Sequence, residues 1–148
     1  MWTSNATKWL QRFSRSISTT TSTSSLPPCF LTEINKHLPE LVINTNPYDL
    51  KSHGKGESYH PSQPPAAIVT PTCSGDISKI LKLCQDHQVP IIPYGQGTSV
   101  EGHLCALNPQ SLSLDLAQLK EINMDQVEDF QVMVGAGVTR LELNQALR

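Results

Sequence analysis

The residues best placed to do chemistry lie between Pro90 and Gly102, in the run PIIPYGQGTSVEG. Gly95 and Gly97 follow closely on a short apolar stretch, and Thr98 and Ser99 come next. Glycine permits positive φ and lets the backbone approach a ligand closely. Successive backbone N–H groups can then form a concave nest for an anion, with the two hydroxyls as further donors. A diphosphate needs several such donors and is repelled by carboxylates, and the loop has none before Glu101. The same string also fits a plain tight turn between strands, so on its own it leaves both readings open. Two other nucleotide motifs do not fit. A Rossmann fingerprint could use Asp115 on a ribose, but Val100 stands where the third glycine belongs, and Asn108 and Pro109 leave little room for the crossover helix. There is no GxxxxGK[ST] string either.

Other reactive side chains are dispersed. His37, His53, His60, His87 and His103 are scattered, and Cys29, Cys73, Cys84 and Cys105 form no CxxC pair. Neither a metal site nor a redox dithiol is expected. The cysteines read as reduced structural thiols, as in a reducing compartment.

The elements that would carry the loop can be placed from pattern. Ala66 to Val69 is an apolar run between prolines and reads as a strand. Ser74 can cap a helix, with Asp76 in its first turn. Ile77, Ile80, Leu81 and Cys84 then fall on one helical face, and Pro90 ends any continuation. Ile91 and Ile92 begin a second strand. Leu112, Leu114 and Leu116 alternate with Ser111, Ser113 and Asp115, a strand with one buried face. Phe130, Val132 and Val134 alternate likewise. Thr139 and Glu142 make a capping box for a helix that continues through Leu143, Ala146 and Leu147. This order of strands and helices implies an α+β or α/β layered domain. The last helix is only about two turns long at Arg148, which reads as a fragment.

Residues 1–25 differ from the rest. Their charged groups are Lys8, Arg12 and Arg15, serine and threonine crowd from Ser14 on, and the first acidic residue of the chain is Glu33. Trp2, Ala6, Trp9, Leu10, Phe13 and Ile17 recur at helical spacing, with the basic residues on the other face. That composition is expected of a mitochondrial transit peptide. Leu26 to Asn46 reads as a Pro-broken connection. The chain has 148 residues, with 38% hydrophobic and 16% charged, which suits about one folded domain. Its net charge of −2 excludes the basic stripe of a nucleic-acid binder. No apolar run approaches the roughly 20 residues of a membrane span.

From Lys51 on, the chain resembles the flavin-binding domain shared by vanillyl-alcohol oxidase and p-cresol methylhydroxylase. The resemblance is carried by AAIVTP at Ala66 to Pro71, the Ile77 to Cys84 helix, PIIPYGQGTS, and VMVGAGVTRLELN at Val132 to Asn144, in that order. HGKGES at His53 to Ser58, GTSVEG with Cys105 and Ala106, and GVTRLELN resemble the branch that comprises the mitochondrial D-lactate dehydrogenases. Gly56 departs from that pattern where relatives often carry an acid. Gly135-Ala136 departs where many carry Glu-Pro.

The resemblance implies an α+β fold, the N-terminal part of an FAD-binding domain of the p-cresol methylhydroxylase type and incomplete. With the composition of the N-terminus, it divides the chain into residues 1–25, the transit peptide; residues 26–60, a linker and N-terminal extension; and residues 61–148, the partial flavin domain. It implies FAD, held without a covalent bond, although some family members attach flavin through histidine and His103 lies just past the loop. The cofactor-binding residues it implies are Tyr94, Gly95, Gln96, Gly97, Thr98, Ser99 and Gly102. The whole protein would oxidise D-lactate to pyruvate in mitochondria, with FAD as hydride acceptor and cytochrome c as an example of the electron acceptor. A sister enzyme acting on another 2-hydroxy acid, or a truncated non-catalytic product, remains a competing reading. No catalytic residue is assigned within these residues.

Overall fold

The computed structural model describes residues 26–148. The targeting segment expected over residues 1–25 lies outside the described residues. Helix α1, Pro28–His37, starts with proline at its first position, where no N–H is needed. Its Phe30 and Ile34, spaced i to i+4, are fully buried, and Leu26 and Leu38 extend the same face. Strand β1, Val42–Asn44, and helix α2, Pro47–His53, follow. Asn46 caps α2 by accepting from the Tyr48 N–H at 3.0 Å. The connection expected over 26–46 is thus a helix and a strand. Pro27 and Pro28 sit at the start of α1, where they favour the helix instead of breaking it, and Pro39 lies just past its end.

Strand β2, Ala67–Thr70, leads into α3, Ser74–Asp86, and then β3, Ile91–Tyr94. Strand β4, Leu112–Asp115, inserts between them, giving the order β1-β2-β4-β3. β1 is antiparallel to β2, and β4 is parallel to both β2 and β3. The register aligns Ala67, Leu112 and Ile91 across the sheet, and then Ile68, Ser113 and Ile92. A short hairpin of β5, Ile122–Asn123, and β6, Met133–Val134, precedes α4, Arg140–Ala146. No helix among the described residues is long and apolar enough to cross a membrane.

Four local expectations change. α3 is capped at Cys73 without a side-chain hydrogen bond, and Ser74 is its first helical residue. The Asp76 carboxylate instead turns back to accept from Thr72 Oγ1 and N, at 3.0 and 3.3 Å. On α3, Leu83 joins Ile80 and Cys84 in the core, while Leu81 is 46% exposed. Burial pushes the Cys84 thiol up to about 12. β4 is buried on both faces, not one: Ser113 is only 1% exposed, because a parallel strand between two neighbours is covered above and below. The Phe130 to Val134 alternation shrinks to two strand residues. Phe130 closes a 3-10 turn over Val127–Asp129 in the left-handed region and is 99% exposed. The capping box forms: Glu142 N–H donates to Thr139 Oγ1 and Thr139 N–H to Glu142 Oε2. Lys120 pairs with the same carboxylate, and Lys120 first and Thr139 next hold it down at about 2.

The sheet separates two layers. Ala67, Val69, Leu112 and Leu114 face α1 and α3 in an apolar core. Alternate positions, Ile68, Ile92 and Ser113, face the other way, where Tyr94, Leu104 and Ala106 form a second, smaller cluster with Ile92.

Candidate functional site

The second layer carries the glycine loop. β3 ends at Tyr94, at the carboxyl end of the parallel strands, which is where open α/β sheets bind ligands. Gly95 through Ser99 follow at once, so the strand delivers the loop to that edge. The backbone N–H groups of Gln96, Gly97, Thr98 and Ser99 donate to no acceptor among the described residues. Space around Gly95 is open, and Gln96 and Thr98 are exposed. Gly97 has φ +71°, a conformation that side-chain-bearing residues rarely adopt. A Cβ there would also collide with the Tyr94 hydroxyl. The arrangement presents a run of unpaired donors, without a carboxylate, to an anion approaching from solvent.

The two hydroxyls are used differently. Ser99 Oγ accepts from the Glu101 N–H and meets His103 Nδ1, both at 3.3 Å, which fixes the turn. Thr98 is exposed. Gly102 lies past that turn, at φ +75° against the His60 ring.

Below the loop lies a segment whose role sequence reasoning missed. The Glu57 N–H donates to the Ser99 carbonyl at 3.0 Å, and Gly56 packs on the same oxygen. A Cβ at Gly56 would stand 2.8 Å from it, so the acid common in relatives would not fit this packing. Ser58 Oγ, in the same segment, is buried with no hydrogen-bond partner among the described residues. The His53 ring stacks on Tyr94 with centroids 3.8 Å apart. His53 Nδ1 lies 3.0 Å from Ser113 Oγ, and Nε2 lies 3.9 Å from Asp115 Oδ2. Burial depresses the His53 imidazole below its usual range, against Asp115 and then Asp49. Burial first, and Asp115 second, push the Tyr94 phenol up. The available signal was the HGKGES string, which marked a resemblance without indicating a contact.

The second glycine turn supports the same edge of the sheet. Gly135 N–H donates to the Glu121 carbonyl and Gly137 N–H to that of Leu119. Both bonds tie β6 to the chain leaving β4. A cleft of about 640 Å³ lies elsewhere, against α1 and α3, among Glu33, His37, Lys79, Lys82, Leu83 and Asp86.

The residues present suit a diphosphate-bearing cofactor such as FAD. They supply unpaired N–H groups, a loop with no carboxylate before Glu101, and glycine where a side chain would block approach. Comparison with known proteins agrees. Residues 65–148 match the FAD binding domain family. The probable mitochondrial D-lactate dehydrogenase of Danio rerio is 38% identical over 98 residues, which cover 66% of this chain and 20% of that protein. The mitochondrial D-lactate dehydrogenase (cytochrome) of Arabidopsis thaliana is 40% identical over 107 residues, 70% of this chain and 18% of that protein. The chain therefore spans about a fifth of the length of these relatives. The crystal structure of p-cresol methylhydroxylase with substrate bound superposes with a TM-score of 0.65 at 18% identity. The match covers 82% of this chain and 25% of that one.

Proposed function

This chain belongs to the FAD-binding domain family, the premise from which we propose that it is the N-terminal, cofactor-holding portion of an enzyme that oxidises D-lactate to pyruvate. Its fold is part of the flavin-binding domain of the p-cresol methylhydroxylase type, and FAD is the cofactor of that family. In the proposed reaction bound FAD would take the C2 hydride of D-lactate as the hydroxyl lost its proton, and the electrons would leave to an acceptor such as cytochrome c. FAD supplies the hydride-accepting chemistry. The residues described here bind and orient it. Tyr94, Gly95, Gln96, Gly97, Thr98, Ser99 and Gly102 form the cofactor-binding segment, with Gln96 to Ser99 offering N–H groups to the diphosphate. Residues 61–148 are the flavin-domain portion, and 26–60 form an N-terminal extension. The location is mitochondrial, as in both relatives' names, and residues 1–25 are the import signal. We assign no catalytic group within this segment. Expressed alone, it is expected to give no dye reduction with D-lactate.

The observation that carries the reading is the row of unpaired N–H groups at the carboxyl end of a parallel strand, in a stretch free of carboxylates. Gly97→Val tests it. The substitution forces a branched side chain into a left-handed position and onto the Tyr94 hydroxyl. The complete protein carrying it is expected to purify without flavin absorbance. Undiminished flavin in a folded Gly97→Val protein would refute the assignment.

A further inference from the structure

We propose that His53 is a positioning residue for the FAD loop: it holds Tyr94 in place beneath Gly97, so that the Gly95–Ser99 backbone keeps its donors presented. The inference rests on the reading of that loop as the diphosphate site. It goes further by assigning a role to a residue outside the 65–148 stretch that matches the family.

Tyr94, Ser113 and Asp115 fix the ring. His53 is the last residue of α2 and is half-buried. Its face is stacked on Tyr94, with an interplanar angle of 23°. Its Nδ1 is 3.0 Å from the hydroxyl of Ser113, itself 1% exposed on the central strand. Its Nε2 points toward the Asp115 carboxylate. Tyr94 and Asp115 are register partners on β3 and β4. The ring is thus held by groups on both strands: the stack makes the contact with Tyr94, and the Ser113 hydrogen bond supports it from β4.

The helix that delivers it is also fixed. Asn44 Nδ2 donates to Asp49 at 2.7 Å, the Gly54 N–H donates to Leu50 O, and Gln63 N–H donates to Gly54 O, both at 3.0 Å. From Tyr94 the constraint passes to the loop. The tyrosine hydroxyl occupies the place that a Gly97 side chain would need. A tyrosine free to swing away would remove the floor beneath Gly97. A residue needed only to fill space here would be aliphatic. A flat ring stacked on Tyr94 fixes the plane of that side chain, and the bond to buried Ser113 keeps His53 where it can stack. Binding is weakened when the loop must be ordered on contact, so a preformed floor raises affinity without touching the ligand.

The test compares three variants in the complete protein, each titrated with FAD after flavin removal, with Tm measured alongside. His53→Ala removes both stack and hydrogen bond and is expected to weaken FAD binding about tenfold, or ~1.4 kcal/mol. His53→Phe retains the stack and should stay within about threefold of wild type. His53→Asn can still reach Ser113 but loses the stack, and should behave like His53→Ala. That rescue by phenylalanine but not asparagine separates positioning from general stability, for which affinity would simply follow Tm. Wild-type affinity in folded His53→Ala would overturn the proposal. If His53→Ala does not fold, the other two decide, and equal affinity of His53→Phe and His53→Asn overturns it. Gly97→Val in the same titration separates the two levels. Tight FAD binding by that variant sinks the loop assignment itself, whereas its loss with His53→Ala unaffected sinks only the role of His53.

Discussion

The two faces of one four-stranded sheet are built to opposite specifications. On one face, Ala67, Val69, Leu112 and Leu114 meet Phe30 and Ile34 of α1 and Ile80, Leu83 and Cys84 of α3. On the other, Ser113 and Asp115 share space with Ile92, and the cover is His53, Tyr94, Leu104 and Ala106. The first face removes apolar surface from water, the main source of folding free energy. The second buries less and spends polar groups on orientation. Stability and ligand positioning are thus assigned to separate sides of the same strands. A residue at 112 or 114 serves the first purpose, and its neighbour at 113 the second.

Substitution should expose that division. The largest effect is expected for Phe30→Ala, which empties a site of 0% exposure and should cost about 3–5 kcal/mol. Against a total of roughly 5–15 kcal/mol for a folded domain, that is enough to leave the apolar face poorly formed. A urea melt in which Phe30→Ala is indistinguishable from wild type would break the comparison. Ser113→Ala should cost about 1 kcal/mol, since it removes one hydrogen bond and leaves His53 Nδ1 without its partner. If the two variants melt alike, the faces do not differ in the way described here. The smallest effect is expected from acidification. Burial holds the folded His53 below its ordinary value of 6.5, so the unfolded chain takes up the proton first. Stability from this group is therefore lost as pH falls through about 6.5 toward the lowered folded value. Tm should drop more between pH 7 and pH 5 in wild type than in His53→Phe, and parallel curves would count against it.

Legibility in the sequence followed the same division. β2, α3, β4 and the Thr139–Glu142 box lie in local patterns, and each formed near its expected place, with Leu83 in place of Leu81 on the buried face of α3. α1 and α2 were hidden by Pro28 and Pro47, residues that break a helix inside and favour it at its first position. Alternation at Phe130, Val132 and Val134 misled, because three apolar residues at period two do not require a partner strand. The glycine loop was visible as a string. What supports it was not, since His53 and Ser113 stand 60 residues apart and only the sheet's strand order brings them together. Leu81 belongs to the expected stripe and Leu83 does not, yet the angle at which α3 meets the sheet buries Leu83 and leaves Leu81 46% exposed.

The placement of β4 between β2 and β3 also sets a clock. As the chain emerges from a ribosome, β2 and β3 appear first, with no strand to join them. Their mutual neighbour comes only after the glycine loop has been made. At about 5–20 residues per second, synthesis from Thr70 to Asp115 takes several seconds. Throughout that interval the edge of β2 that β4 will later occupy is unpaired, joined by that of β3 once Tyr94 has been made, and unpaired edges recruit other chains. A nascent chain halted before Leu112 is expected to engage holdase chaperones, and one extended past Asp115 to release them. The middle of the sheet is the last part of it to be synthesised.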